Sequence, residues 1–183
     1  MAKYEIEHRG RLSKKQKAEL EAILKKNGKL IKKYERTQWI FGLSHKKTID
    51  FRIKQTNGEN EFSLKVGRLN DSNRKEISIP FGEDKLEESF EFAKYMGHSE
   101  GLIAIRNASI YLYKGVEWAI VEVPSHSYYF EAEKLVENKK DGKKALTEIE
   151  KIASELGLKI FTPEETLAYI RLLDKEANEE FKL

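Results

Sequence analysis

The amino-acid sequence predicts an α+β fold, and three observations support this class. The chain has 183 residues, about the length of one domain. Its middle part consists of short segments in which apolar and polar residues alternate, which is the pattern of half-buried strands. Segments with apolar residues at helical spacing lie near both ends and between the strands. The sequence has neither a solenoid repeat nor a low-complexity linker, so we expect one domain over residues 1–183.

The first part of the chain is predicted to form a strand, a helix and several hairpin strands. Ser13 is the expected N-cap of the helix, which ends at Gly28. The Asn57-Gly58 step is a strong hairpin signal between two of the strands. Residues 67–76 are polar and predicted to form a loop. The predicted strands are residues 3–9, one strand or two within 29–42, and residues 49–55, 59–67 and 76–81.

The second part begins with a helix over residues 84–97, in which Leu86, Phe90 and Ala93 have helical spacing. Two helices are expected to close the chain. The last of them should begin at Thr162, because a proline and a capping-box acid follow this residue. The predicted strands between these helices are residues 102–114, 116–123 and 127–135, and the first closing helix spans residues 143–157.

Two pairs of glutamates lie on the predicted strands nearest the two ends of the chain. Glu5 and Glu7 share one face of the first strand, and Glu131 and Glu133 share one face of the last. Glu is depleted in strands, and four carboxylates facing one cavity would repel each other without a hard cation between them. The pattern indicates a metal site. A solvated strand face is the alternative, and the basic residues on the strands between the pairs decide between the two.

Basic residues occupy one face of the middle strands. Arg52 and Lys54 share a face on one strand, Lys65 lies on the next, and Arg106 lies on a later strand opposite apolar neighbours. A cavity with acids from the terminal strands and cations from the middle strands would offer ligands for a divalent metal and for oxyanions. Polyphosphate with one or two Mg²⁺ or Mn²⁺ ions is the ligand class that needs both.

At these positions the sequence resembles the CYTH superfamily of triphosphate tunnel metalloenzymes, which includes class IV adenylyl cyclases, thiamine triphosphatases and inorganic triphosphatases. An N-terminal E-x-E-x-K strand is typical of the family, and this chain has Arg in place of the Lys. The matching positions in chain order are Glu5, Glu7, Arg9, Arg52, Lys54, Lys65, Arg106, Glu131 and Glu133. The resemblance covers nearly the whole chain. It implies an eight-stranded antiparallel β-barrel, or tunnel, with surrounding helices.

The resemblance also implies a function. We expect a divalent-metal-dependent hydrolase that acts on inorganic, nucleoside or thiamine triphosphate. Two alternatives stay open, namely synthesis of cyclic AMP from ATP in the same site, and binding of a nucleotide or polyphosphate without turnover. The implied metal ligands for Mg²⁺ or Mn²⁺ are Glu5, Glu7, Glu131 and Glu133. The implied substrate-binding residues are Arg9, Arg52, Lys54, Lys65 and Arg106, and the implied catalytic residues are Glu5, Glu7 and Arg106.

The chain departs from the family on the strand before the closing glutamates. Family members often carry an Asp at the position of Val121, followed by two glycines that this chain lacks. Glu117 has the same strand parity as Val121, and Glu122 has the opposite parity. Either glutamate is a candidate replacement for the missing acid. This departure motivates the alternative of binding without turnover.

Composition excludes several other classes. Lys and Arg number 34 against 31 Asp and Glu, so nucleic-acid binding is not indicated. The chain has no cysteine, which excludes disulfides and thiolate metal sites. The four histidines, at positions 8, 45, 98 and 126, show no metal-ligand spacing. No apolar run approaches the roughly 18 residues that span a membrane. We expect a cytoplasmic protein whose partner is a triphosphate-containing small molecule, and a homodimer is left open.

Overall fold

The chain forms a closed antiparallel β-barrel of eight strands in a computed structural model that describes residues 4–41, 49–67 and 73–183. Each barrel strand is antiparallel to both neighbours, in the order β2-β3-β4-β5-β1-β8-β7-β6, and the ring closes where β2 pairs with β6. The strands are β1 (Tyr4–Leu12), β2 (Lys29–Phe41), β3 (Ile49–Thr56), β4 (Glu59–Val66), β5 (Asn73–Phe81), β6 (Glu100–Tyr113), β7 (Val116–Val123) and β8 (Ser127–Val136). This confirms the α+β barrel predicted above.

Four helices accompany the barrel in the described part of the chain: α1 (Lys14–Asn27), α2 (Leu86–Tyr95), α3 (Gly142–Glu155) and α4 (Pro163–Glu176). The Ser13 hydroxyl accepts a hydrogen bond from the Gln16 backbone N–H, and the Gln16 side chain accepts one in return. Thr162 and Glu165 form the same capping box at the start of α4. Both predicted helix starts are therefore confirmed. None of the described helices has the length and apolarity that a membrane crossing needs.

Several sequence predictions need correction or completion. Residues 29–41 form one strand rather than two. The predicted loop is wrong over residues 73–76, because β5 starts at Asn73 and pairs with β1 there. Residues 68–72 of the predicted loop, and His45, lie outside the described residues. The helix predicted over 84–97 is α-helical over Leu86–Tyr95 after a short 3-10 turn. A ninth strand, β9 (Glu179–Lys182), pairs with the start of β6 and was not predicted.

The outer surface of the barrel carries the largest hydrophobic core. Ile6, Trp118 and Phe130 on β1, β7 and β8 are completely buried against Leu24 of α1 and Ile149 of α3. Each such side chain contributes about 1.5–3 kcal/mol when it leaves water. The apolar face of each of these strands therefore points outwards, beneath the helices. Alternation then directs the polar face of the same strands into the lumen.

A second apolar cluster lies within the lumen, where α4 packs against inward-facing side chains. Tyr169 and Leu173 of α4 contact Tyr34, Val121 and Tyr129, which belong to β2, β7 and β8. The rings of Tyr129 and Tyr169 lie edge to face, with centroids 5.8 Å apart. α4 is thus a wall of the lumen, whereas α1 and α3 lie outside the barrel.

The segment that leads to α4 lies directly against β1. The Phe161 backbone N–H donates to the Arg9 carbonyl oxygen over 2.8 Å. A Cβ atom at Gly10 would overlap the Lys159 carbonyl oxygen and the Phe130 ring. Glycine at position 10 is therefore required for this close approach, which fixes the start of α4 over the lumen.

Candidate functional site

The inward faces of the strands enclose one cavity with a strongly cationic lining. All five predicted substrate-binding residues contribute to it, as do two further arginines. The basic lining residues are Arg9, Arg36, Arg52, Lys54, Lys65, Arg74 and Arg106. Glu131 and Asp174 are the acidic lining residues. The cavity between these walls has a volume of about 120 Å³.

Arg52 is held in place by two neighbouring side chains. Its Nε and Nη2 atoms donate to the two carboxylate oxygens of Asp50 over 2.8 and 2.6 Å, and its Nη1 donates to Gln38 Oε1 over 3.0 Å. Arg74 Nη1 lies 3.4 Å from the same Asp50 carboxylate. Burial alone would raise the Asp50 pKa, but the charges of Arg52 and Arg74 lower it to about 2. Asp50 is therefore ionised and shared between two arginines.

Two lysines connect the cationic wall to acidic residues. Lys54 Nζ lies 3.1 Å from both Glu61 Oε1 and Glu76 Oε1. Lys65 Nζ donates to Glu5 Oε1 over 2.7 Å. Burial lowers the Lys54 pKa, and the charges of Glu76 and Glu61 offset part of that decrease. These ion pairs satisfy the lysines when no anionic ligand is bound, and an anion could replace the carboxylates.

Arg106 is oriented by the segment that follows α4. Its Nη2 donates to Asn178 Oδ1 over 2.8 Å, and its Nη1 donates to the Ile105 carbonyl oxygen over 2.7 Å. Asn178 in turn donates to Asp174 Oδ1 over 2.8 Å. These hydrogen bonds fix the orientation of Arg106, which lines the cavity beside α4. Its catalytic role stays a prediction.

Three of the four predicted metal ligands come together on β1 and β8. Glu7 and Glu133 are direct cross-strand neighbours, and Glu5 lies on the same face of β1. Burial, followed by the charges of Glu7 and Glu133, raises the Glu5 pKa to about 9 although Lys65 lowers it. Burial and the Glu7 charge likewise raise the Glu133 pKa to about 7. For Glu7, the charges of Arg9 and Lys65 outweigh burial and lower the pKa to about 2.

The fourth predicted ligand, Glu131, lies further along β8. Its Oε1 atom is 2.9 Å from Arg9 Nη2, and Arg9 also forms an ion pair with Glu7. Arg9 therefore bridges the two acidic strands. In this arrangement Glu131 belongs to the lining of the cationic cavity more than to the cluster of Glu5, Glu7 and Glu133.

The donor chemistry of this carboxylate cluster suits a hard divalent cation. Carboxylate oxygens are the ligands that Mg²⁺ and Mn²⁺ prefer. Glu5 Oε2 is buried and has no hydrogen-bond partner in the described part of the chain. Among the described residues, however, no three His, Cys, Asp or Glu side chains are placed as a ready-made metal site. A hydrogen bond from Lys65 holds Glu5, and an ion pair with Arg9 holds Glu7, so these acids would need to reorient around a cation.

At Val121, where the resemblance implies an acid, the structure has an apolar environment. Val121 is completely buried in the lumen cluster that includes Tyr169 and Leu173. Glu117 is exposed and lies directly opposite Glu133 in the β7–β8 ladder. Glu122 lies on the outer face, in a separate groove next to Lys17. Of the two candidate replacements, only Glu117 is on the same side as the carboxylate cluster.

Sequence reasoning missed several residues of the cavity. Arg36 follows the alternation of Tyr34 and Gln38, so its inward orientation was readable from the sequence. Arg74 continues the alternation of β5 towards its N-terminus, but that part was predicted to be a loop. Asn178 and Asp174 carried no signal, because their contacts depend on how α4 packs over the barrel.

Solved structures with a similar fold cover most of this chain. The PH1819 protein from Pyrococcus horikoshii OT3 is 26% identical over 91% of this chain and 99% of that chain, with a TM-score of 0.71. A proposed adenylate cyclase from Vibrio parahaemolyticus is 10% identical over 92% and 99% of the two chains, with a TM-score of 0.70. HpAC1 from Hippeastrum, a proposed adenylyl cyclase for which a dominant triphosphatase activity is described, is 15% identical over 87% and 90%, with a TM-score of 0.57.

The sequence matches no protein-family model, and no curated protein matches it either. The structural likenesses extend over nearly the full length of this chain and include proteins described as cyclases or triphosphatases. They agree with the closed barrel described above. The chain therefore shares its fold with these solved structures.

Proposed function

We propose that this protein is a divalent-metal-dependent triphosphatase that binds its substrate in the barrel lumen. One observation carries the proposal: six strands, β1 to β6, direct seven basic side chains into one cavity beside a carboxylate cluster. Each charge-assisted hydrogen bond to a phosphate oxygen contributes about 1.5–3 kcal/mol. Such a concentration of cations matches a ligand with several negative charges along its length.

The basic residues would neutralise charge on the phosphates and hold them in line for attack by water. Lys65 and Lys54 would exchange their carboxylate partners for phosphate oxygens, and Arg106 would contact the substrate from its fixed position. In the reaction, water forms a new bond to the terminal phosphorus while the bridging P–O bond breaks. Orthophosphate and the shortened phosphate chain are the products, and the proton of the water passes to solution.

The carboxylates would bind the cation. Glu5, Glu7 and Glu133 would hold Mg²⁺ or Mn²⁺, with Glu131 close by on β8. A bound divalent ion would supply charge neutralisation at the phosphates. The high pKa of Glu5 supports this assignment, because a cation is the natural partner for carboxylates that repel one another.

A second candidate function is binding without turnover. Val121 is buried among apolar side chains where the resemblance implies an acid, and the described carboxylates do not form a ready-made metal site. Both observations are compatible with a protein that senses a nucleotide or polyphosphate. The same cavity would then bind ligand but release no product.

Phosphate release and product analysis test these functions together. Tripolyphosphate, thiamine triphosphate and ATP would each be incubated with the protein in Mg²⁺, in Mn²⁺ or in EDTA. We expect orthophosphate in the presence of metal and none in EDTA. Turnover should be lost in Glu7→Gln and retained in Glu137→Gln, whose residue is exposed just after β8.

The other outcomes are equally clear. Full turnover in EDTA would contradict the metal assignment. Cyclic AMP from ATP in place of phosphate would identify a cyclase. Calorimetric binding of tripolyphosphate without product would identify a binding protein, and the absence of binding would refute the lumen as a phosphate site.

A further inference from the structure

Asp50 is an acid at the centre of the cationic wall, a position that the proposed function does not explain. It is only 3% exposed and lies opposite Lys65 in the β3–β4 ladder. Its carboxylate accepts two hydrogen bonds from Arg52 and lies 3.4 Å from Arg74 Nη1. Arg52, Arg74 and Lys65 all line the cavity, whereas Asp50 does not. Asp50 therefore contacts the cations of the wall without itself lining the cavity.

We infer that Asp50 is a positioning residue that holds Arg52 and Arg74 together as one phosphate-binding unit, which makes Arg74 a further phosphate contact. This inference rests on the proposed function. Arg74 is 6% exposed, and two buried guanidinium groups side by side repel each other. One shared carboxylate removes this repulsion and fixes the direction of both groups, because its oxygens accept from both.

The hydrogen bonds of Arg52 show why such an arrangement suits phosphate binding. A guanidinium group has five N–H donors. Within the described part of the chain, Asp50 accepts two of these and Gln38 accepts one. Two N–H groups therefore remain for an external oxygen. The side chain is thus fixed by the protein through one part of its head, while another part stays available to a ligand.

The negative charge of Asp50 also has an effect that opposes anion binding. Its negative charge lies close to the expected phosphates and would repel them, so a residue that acted only through its charge would weaken binding. Removing the charge would then increase the affinity for every anion. The positioning role predicts a decrease, because Arg52 and Arg74 would lose their common anchor. The sign of the change distinguishes the two.

Calorimetric titration of tripolyphosphate in EDTA measures this sign without turnover. We expect Asp50→Asn to weaken binding about tenfold, the effect of losing one well-placed charge-assisted contact. Arg74→Gln should weaken it by a similar factor. In the Arg74→Gln background, Asp50→Asn should weaken binding less than it does in the parent, because only Arg52 then loses its anchor. Asp84→Asn, which removes an equal charge at an exposed position, is the matched control and should bind like the parent.

The other results overturn the inference. Unchanged or tighter binding by Asp50→Asn would show that the residue does not position the arginines, and additive losses would show that Arg74 acts independently of it. If Asp50→Asn does not fold, Arg52→Lys provides the test: lysine keeps the charge but cannot make the bidentate contact, so we expect about tenfold weaker binding, and parent-like binding contradicts the positioning role. A parent protein that fails to bind tripolyphosphate overturns the proposed function and the inference with it, whereas a binding parent with unaffected variants overturns the inference alone.

Discussion

Replacement of Glu133 by Gln should stabilise the metal-free protein at alkaline pH but not at acidic pH. Burial and the neighbouring Glu7 charge raise the Glu133 pKa from 4.5 to about 7. The folded protein therefore holds the proton more tightly than the unfolded chain does. When Glu133 is protonated in both states, it does not lower the free energy of unfolding. The loss of stability begins as the pH rises above about 4.5 and is complete above about 7.

The magnitude follows from that interval. A difference of one pH unit between folded and unfolded pKa values corresponds to about 1.4 kcal/mol. Because the Glu133 pKa is 4.5 in the unfolded chain and about 7 in the folded protein, its ionised side chain lowers the free energy of unfolding by up to about 3 kcal/mol. Gln has nearly the same shape and carries no charge, so Glu133→Gln should recover about 2–3 kcal/mol at pH 8.5 and almost nothing at pH 4.5.

Chemical unfolding in EDTA at the two pH values measures the difference. Glu137→Gln is the control, because Glu137 is exposed and its replacement should leave stability within about 0.5 kcal/mol of the parent at both pH values. Mg²⁺ should reduce the advantage of Glu133→Gln, since a bound cation would relieve the same repulsion in the parent. Equal destabilisation of Glu133→Gln at both pH values would refute the reasoning and assign Glu133 a packing role.

Three further predictions concern the fold and the cavity. Ile53→Ala removes a completely buried side chain on the outer face of β3, so we expect thermal and chemical melts to show a loss of about 2–5 kcal/mol, with the tripolyphosphate affinity of the folded protein unchanged. Arg36 lies on the inner face of β2, so Arg36→Gln should weaken calorimetric binding of tripolyphosphate about tenfold with little change in melting temperature. The exposed control Lys33→Gln should bind like the parent. Gly10→Ala would force β1 away from the Lys159 carbonyl oxygen, so it should lower the melting temperature strongly; a parent-like melt would contradict the close approach.

The barrel was predictable because most of its strands have one apolar and one charged face. Alternation in residues such as Ile6 and Phe130 against Glu5 and Glu131 assigns both faces from the sequence alone. It does not tell which face points inwards. In an ordinary barrel the apolar faces meet inside, whereas here the helices α1 and α3 bury them outside. The resemblance to a known family supplied that choice.

Other features could not be predicted, for physical reasons. Residues 179–182 read EEFK, and so short a charged strand shows no alternation that separates it from a loop. β5 begins within a polar segment, so Arg74 was assigned to a loop although the pairing with β1 extends the strand. The contact of Asn178 with Arg106 joins residues 72 positions apart and depends on the packing of α4. Local sequence carries no information on such contacts.

A crystal structure of the protein with Mn²⁺ and a non-hydrolysable imido analogue of tripolyphosphate would test the central claim most directly. The account predicts phosphate density within the lumen, in contact with Arg9, Arg52 and Lys65. It also predicts an anomalous Mn²⁺ signal beside Glu5 and Glu133. Phosphate density on the outer surface of the barrel would contradict it, and so would a lumen without phosphate in which Lys54 and Lys65 keep their contacts with Glu76 and Glu5.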